Sequence, residues 1–258
     1  MQFQISNYLE EKILDHTLRA ISYTSPTTVY AALITSFDSD GDSVTEVSGV
    51  SYARQSMAFD APSNGVTANT SLITFPTAGS DWGTATHIGI YDAVSAGNLL
   101  FWAEFDIAKV IATSAVFRIP AGSYDLTMAG AFSLYLRNGL INHVLRNSAL
   151  ASPAAVYAGI GTGVSNNNSS LSEPGAPTGY TRSGAITFAS GGTGKITNTT
   201  ALSFTASGGN FGEMTHIGYF DATTAGNLLY AIQLDAARDI FDGDGISFAS
   251  TEVDLEID

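Results

Sequence analysis

The chain has 258 residues, 24 of them acidic and 10 basic, for a formal net charge of −14. No basic patch is available to displace counterions from a phosphate backbone, which argues against a nucleic-acid partner. Cysteine is absent, so disulfide staples, thiolate zinc sites and cysteine nucleophiles are excluded; no run approaches the roughly 18 apolar residues of a membrane span.

The first predicted element is an amphipathic helix from Asn7 to Ile21. Leu9, Ile13, Leu14, Leu18 and Ile21 fall at helical spacing, with Glu10, Glu11, Lys12, Asp15 and Arg19 on the wet face. Ser6 or Asn7 can cap it. Residues 1–20 lack the basic head and unbroken apolar middle of a signal peptide, so the expectation is a soluble protein made in a cytoplasm. Strands follow: Thr28–Ser36, a segment opening on Tyr52-Ala53-Arg54, and Ile73-Thr74-Phe75. Between them, Asp38–Val50 is poor in apolar residues and reads as an exposed loop.

Thr86–Leu100 (THIGIYDAVSAGNLL) is the most informative stretch. Alternating residues up to Tyr91, a turn carrying Asp92 and Gly97-Asn98, and a second apolar strand from Leu99 describe a β-hairpin. The stretch returns at Thr215–Leu229 (THIGYFDATTAGNLL), identical at 11 of 15 positions. The remainder of the chain repeats in the same order. A second helix is predicted over Ser133–Arg146, Val29-Tyr30-Ala31 recurs as Val156-Tyr157-Ala158, and Tyr52 and Arg54 as Tyr180 and Arg182. The offset drifts from 127 to 129, which places the insertions in loops. Such self-similarity indicates a duplicated unit. The expected architecture is mainly β: two tandem antiparallel β-sandwich domains, residues 1–129 and 130–258, each preceded by a short amphipathic helix. The short apolar join should hold them at a fixed angle.

The chemistry-bearing residues are sparse. All four histidines fall in matched pairs, His16 with His143 and His87 with His216, without metal-ligand spacing, and a buried hydrogen bond is their expected role. If Tyr91 pairs with Asn98, His87 lies opposite Trp102 and His216 opposite Ala231. Asp92 and Asn98, with Asp221 and Asn227, read as hairpin-corner residues. Asp38, Asp40 and Asp42 begin like a calcium loop, but Gly49 stands where its last glutamate belongs. Asp239, Asp242 and Asp244 form a second acidic turn, and solvated turns are the expectation for both sets. Gly191–Lys195 fails as a phosphate loop because Ile196 replaces the Ser or Thr that would hold magnesium. No nucleophile elbow, zinc-protease motif or matched carboxylate pair is present. No enzyme activity and no cofactor are expected.

The order YLEEKILDHTLR, SPTTVYAALIT, TEVSGVSYARQ, NTSLITFP, DWGTATHIGIYDA and AGNLLF resembles a family of small phage virion proteins commonly labelled tail-fibre or phage structural proteins. Asn7 to about Met128 resembles a complete member. The second copy is a diverged one, with SEPGAPTGYTRSG for the EVSG–YARQ segment and Phe211 for Trp82. The resemblance carries no catalytic residue. It implies a structural protein on the virion exterior, decorating the capsid or forming part of the tail or tail fibre. Its partners would be other virion proteins and further copies of itself, as in a trimer, and it would be synthesised in the host cytoplasm. Contacts would use the amphipathic helices, through Leu9 and Ile13, and exposed strand edges, with Tyr52 and Arg54 as further candidates. The alternative is an adhesin binding host-surface glycan, with Trp82 and Trp102 as stacking platforms.

Overall fold

A computed structural model describes residues 3–37, 43–192 and 194–257. In unit one, β1 (Gln4–Ile5) leads into α1 (Asn7–Leu18). The strands are β2 (Val29–Phe37), β3 (Val44–Glu46), β4 (Gln55–Met57), β5 (Val66–Ala68), β6 (Ile73–Thr74), β7 (Gly83–Tyr91), β8 (Leu99–Ile111), β9 (Arg118–Ile119) and β10 (Asp125–Thr127). Unit two opens with α2 (Leu134–Leu145) and continues with β11 (Val156–Gly161), β12 (Ala185–Ile186), β13 (Phe188–Gly192), β14 (Lys195–Asn198), β15 (Leu202–Thr205), β16 (Gly212–Phe220), β17 (Leu228–Ile240), β18 (Gly245–Phe248) and β19 (Asp254–Glu256). Among the described residues all pairings are antiparallel. The main sheets run β1-β8-β7-β2-β3, with β4 also on β2, and β12-β11-β16-β17. The second layer consists of short sheets: β5–β10 and β6–β9 in unit one, β13-β14-β19 and β15–β18 in unit two. The fold is the expected one, mainly β with two tandem units and a helix before each.

Both helices start as expected. Ser6 and Ser133 Oγ accept the amides of Leu9 (3.3 Å) and Leu136 (3.1 Å), satisfying donors that a helix start leaves free. α1 stops at Leu18, short of the Ile21 that the apolar spacing suggests, whereas α2 ends within one residue of the expected Arg146. Ala20 and Asn147 adopt φ of +55° and +50°, and the next-residue amides, Ile21 and Ser148, bond back to Asp15 and Asn142 O. The reversal leaves Ile21 exposed instead of on the helix.

The hairpin register also differs from the expected one. Tyr91 pairs with Leu99, and a one-residue bulge then brings Ile90 opposite Phe101 and His87 opposite Glu104. His216 lies opposite Gln233. The shift is one residue at Tyr91 and two beyond the bulge, so at His87 and His216 the inward and outward faces are unchanged.

The two units share one hydrophobic core. A single buried cluster joins Leu9, Ile13 and Phe101 of unit one to Leu136, Ile196 and Tyr230 of unit two. α1 lies against its own β8 and also against β13 and β14 of the other unit. Leu9 and Ile13 are fully buried, which corrects their reading as contacts for a partner: a helix walled on two sides buries more than the single stripe its sequence pattern displays. The join is itself part of the sheet, with Ser133 N donating to Leu229 O and Ala231 N to Ala131 O.

Candidate functional site

Each main hairpin is held by a three-residue clamp. In unit one Tyr52 donates its hydroxyl to Glu46 (2.9 Å) while accepting the Leu33 amide (3.0 Å). Arg54 pairs with Glu46 (2.5 Å), donates to the Ala93 and Ala96 carbonyls at the hairpin tip, and lies 3.5 Å over the Tyr91 ring. In unit two Glu173, Tyr180 and Arg182 repeat every contact, with Ala222 and Ala225 as the carbonyls and Phe220 as the ring. The side chains of Arg54 and Arg182 are only 7% and 9% exposed. Tyr52 and Arg54 therefore point into their own unit, a correction to their reading as partner contacts. The diverged segment keeps its chemistry, because only the spacer between Glu and Tyr grew by one residue. At the same tips, Asp92 accepts Asn98 N (2.7 Å) and Nδ2 (2.7 Å), and Asp221 accepts Asn227 N (2.6 Å) and Nδ2 (2.7 Å). Gly97 and Gly226 sit beside these carboxylates at φ of +70° and +68°, where a Cβ would collide with the Asp oxygen.

Between the units His16 stacks on His143, centroids 4.8 Å apart. Tyr23 N donates to His16 Nδ1 (3.1 Å), and His143 Nε2 donates to Tyr23 O (2.9 Å). Leu150 N donates to His143 Nδ1 (3.1 Å), and His16 Nε2 donates to Leu150 O (2.9 Å). The result is a closed, pseudo-two-fold ring of four hydrogen bonds. It requires both imidazoles to be neutral with the proton on Nε2. Burial lowers the pKa of both, and His16 lowers that of His143 further; the carbonyl bonds oppose the shift. Ser25 and Ser152 hydroxyls complete the seam by donating to the His143 and His16 carbonyls. Thr17 Oγ1 lies 2.8 Å from the Tyr230 hydroxyl across the seam. The pseudo-symmetric positions hold Val144 and Phe101, both apolar.

His87 and His216 lie on the sheet face away from the seam. Their Nδ1 atoms meet Thr86 and Thr215 hydroxyls at 2.8 and 2.7 Å. His87 stacks on Phe37 (5.2 Å) and is edge-on to Trp102 (5.7 Å), while Phe37 and Trp102 lie 4.0 Å apart. This half-buried trio belongs to unit one alone, since Val164 and Ala231 replace Phe37 and Trp102. Trp82 is buried, with Nε1 donating to Val50 O at 3.0 Å, which removes it as a stacking platform.

The acidic turn is used by the backbone. Asp242 accepts Gly208 N (2.7 Å), Asp244 accepts Phe241 N (3.3 Å), and Asp239 pairs across the ladder with Glu213. Asp38, Asp40 and Asp42 lie outside the described residues. Among the described residues, no three His, Cys, Asp or Glu side chains are grouped to hold a metal ion, and no helix is long and apolar enough to cross a membrane.

The polar clusters on both sides of the seam fasten backbone to backbone, and they occur twice. The molecule is thus of a class built by duplication, a pseudo-symmetric pair of β units fused through one core. The family model described as podophage GP4 fiber I protein gp80 matches residues 4–127 and again 131–256. The chain belongs to that family of phage fibre proteins, as a tandem duplication. No curated protein matches its sequence.

Proposed function

We propose that the chain is a non-enzymatic structural component of the virion exterior, in the tail or tail fibre or decorating the capsid, that assembles with other virion proteins and with further copies of itself. The observation that carries this reading is the repeated family match coinciding with two units fused through one core: a rigid body offering two similar outer faces suits a symmetric particle. The clamps and the histidine ring are consumed in holding the fold, which supports a role in contact over a role in chemistry.

Imaging of intact particles carrying a tagged chain, with mass spectrometry of purified virions, tests the reading. Density for the tag at a symmetric outer position is expected. Absence of the chain from purified particles would overturn it. A second reading, an adhesin for host-surface glycan, draws its support from the Trp102–Phe37–His87 trio, a half-buried aromatic face of the kind that stacks on sugar rings. Loss of particle adsorption on replacing Trp102 with Ala, with assembly intact, would favour it.

A further inference from the structure

The pseudo-symmetry of the seam is broken at Tyr23 and Leu150. Their backbones are equivalent: each amide donates to the Nδ1 of its own unit's histidine, and each carbonyl accepts from the other unit's histidine. Their side chains go different ways. In unit one the Tyr23 ring stands edge-on to Tyr8 (6.4 Å) and to His143 (5.6 Å). Its hydroxyl is buried without a hydrogen-bond partner among the described residues. Burial, then the neighbouring Tyr8 and the Asp92 charge, push the phenol pKa far up.

In unit two Leu150 leans the other way. Gly139 stands where unit one has Lys12, and a Cβ at Gly139 would lie 2.9 Å from Leu150 Cδ1. The leucine occupies the room that a side chain there would need. The region that corresponds to the Tyr23 ring is a cavity of about 200 Å³, lined by Tyr135, Leu136, Leu150, Pro153, Asp221 and Leu229 among others. Tyr135 and Asp221 are the counterparts of Tyr8 and Asp92. Tyr135 is 43% exposed and forms the mouth. The Asp221 carboxylate accepts from Asn227 and retains lone pairs for a further donor.

We propose that this cavity beside Tyr135 and Asp221 is a binding site for a phenol ring, seated edge-on to Tyr135 as Tyr23 is to Tyr8, with its hydroxyl directed to Asp221. The chain carries the template for the ring in its own first unit; the bond to Asp221 goes beyond that template, since the Tyr23 hydroxyl has no partner among the described residues. The cavity volume suits one six-membered ring with a short substituent, and a lining that combines apolar side chains with Thr17, Ser152 and one carboxylate, Asp221, favours a hydroxylated ring over a plain one. A phenol can arrive as the side chain of a tyrosine on a partner protein or as a free small molecule.

Methyl-detected NMR on the full chain with 4-methylphenol as the probe tests this. Saturable shifts at Leu136, Leu150 and Leu229 are expected, with a Kd on the order of 1 mM for so small a ligand. Leu150→Tyr restores the unit-one residue, fills the cavity and should weaken binding at least about tenfold, a difference of roughly 1.4 kcal/mol. N-acetyltyrosinamide separates the sources: binding comparable to 4-methylphenol assigns the site to a protein side chain, and binding of 4-methylphenol alone assigns it to a free phenol. The proposal is overturned by an absence of saturable shifts, by shifts that map elsewhere, by toluene binding as tightly as 4-methylphenol, or by L150Y binding as wild type does. The mapping on the wild-type chain decides the matter even if L150Y fails to fold.

Discussion

His16 and His143 stack at 4.8 Å across the seam with ring planes 23° apart, and each is bonded through both nitrogens to backbone of the two segments that follow the helices. Two helices from different units are thereby tied at their C-terminal ends by groups that work only when uncharged.

That requirement sets a pH dependence. Burial holds both histidines below their ordinary pKa in the folded chain, while in the unfolded chain they titrate near 6.5. Below that pH the unfolded state binds more protons than the folded one, so stability falls. The contribution is fully present above about pH 6.5 and is lost as pH drops toward the folded values. The charged groups on the surrounding elements do not offset it: Asp15 and Arg19 pair with each other at 2.5 Å, and Arg146 is tied to Phe59 O and Asn142. Thermal melts from pH 8 to pH 5 should show a falling Tm, and the fall should shrink in a His16→Gln, His143→Gln double variant. A profile unchanged by the double variant would count against the account.

Removing one ring costs more than its own contacts, because its partners stay buried. His143→Ala strands the Leu150 amide and the Tyr23 carbonyl and leaves His16 unstacked. A loss of about 3 kcal/mol is expected in urea unfolding, with His16→Ala close to it in size.

The clamps make a matched prediction. Arg54→Ala leaves Glu46 without its ion pair and frees the Ala93 and Ala96 carbonyls, a loss of about 3 kcal/mol. Arg182→Ala should cost about the same, since its contacts are the same. Faster amide exchange at the β7–β8 tip should accompany the first variant and at the β16–β17 tip the second. Arg54→Lys should recover little of the loss, since an ammonium cannot reach Glu46 and two carbonyls while lying flat on Tyr91.

Trp82→Phe should be mild. Phe211 stands at the equivalent place in unit two, edge-on to Tyr180 at 5.6 Å as Trp82 is to Tyr52 at 5.2 Å. The cost is the lost indole bond to Val50 O and some volume, about 1–2 kcal/mol, read from chemical denaturation.

Much of the fold was legible because duplication supplies an internal check on each segment. The hairpin at Thr86–Leu100 was readable from its Asp and Gly-Asn corner. Its register was not, since the bulges between Ile90 and Tyr91 and between Ala85 and His87 leave no mark in the alternation. The end of α1 at Leu18 was hidden because the reversing residue, Ala20, is not glycine, whereas the end of α2 at Leu145 was legible to within one residue. The clamp was missed for a different reason: Glu46 and Glu173 align at an offset of 127 and the arginines at 128, so motif matching across the gap made a retained triad look diverged. Aligning the acidic residues separately would have found it. The burial of Leu9 and Ile13 on both sides could not be read from one amphipathic stripe, because the second wall, at β13 and β14, belongs to the other half of the chain.

The central claim is that the two units are one folding body, since one buried cluster and the histidine ring span both. Differential scanning calorimetry at pH 7.5 tests it most directly. The account predicts a single transition whose calorimetric and van't Hoff enthalpies agree. Two resolved transitions, or a calorimetric enthalpy near twice the van't Hoff value, would show that each unit unfolds alone and would contradict it.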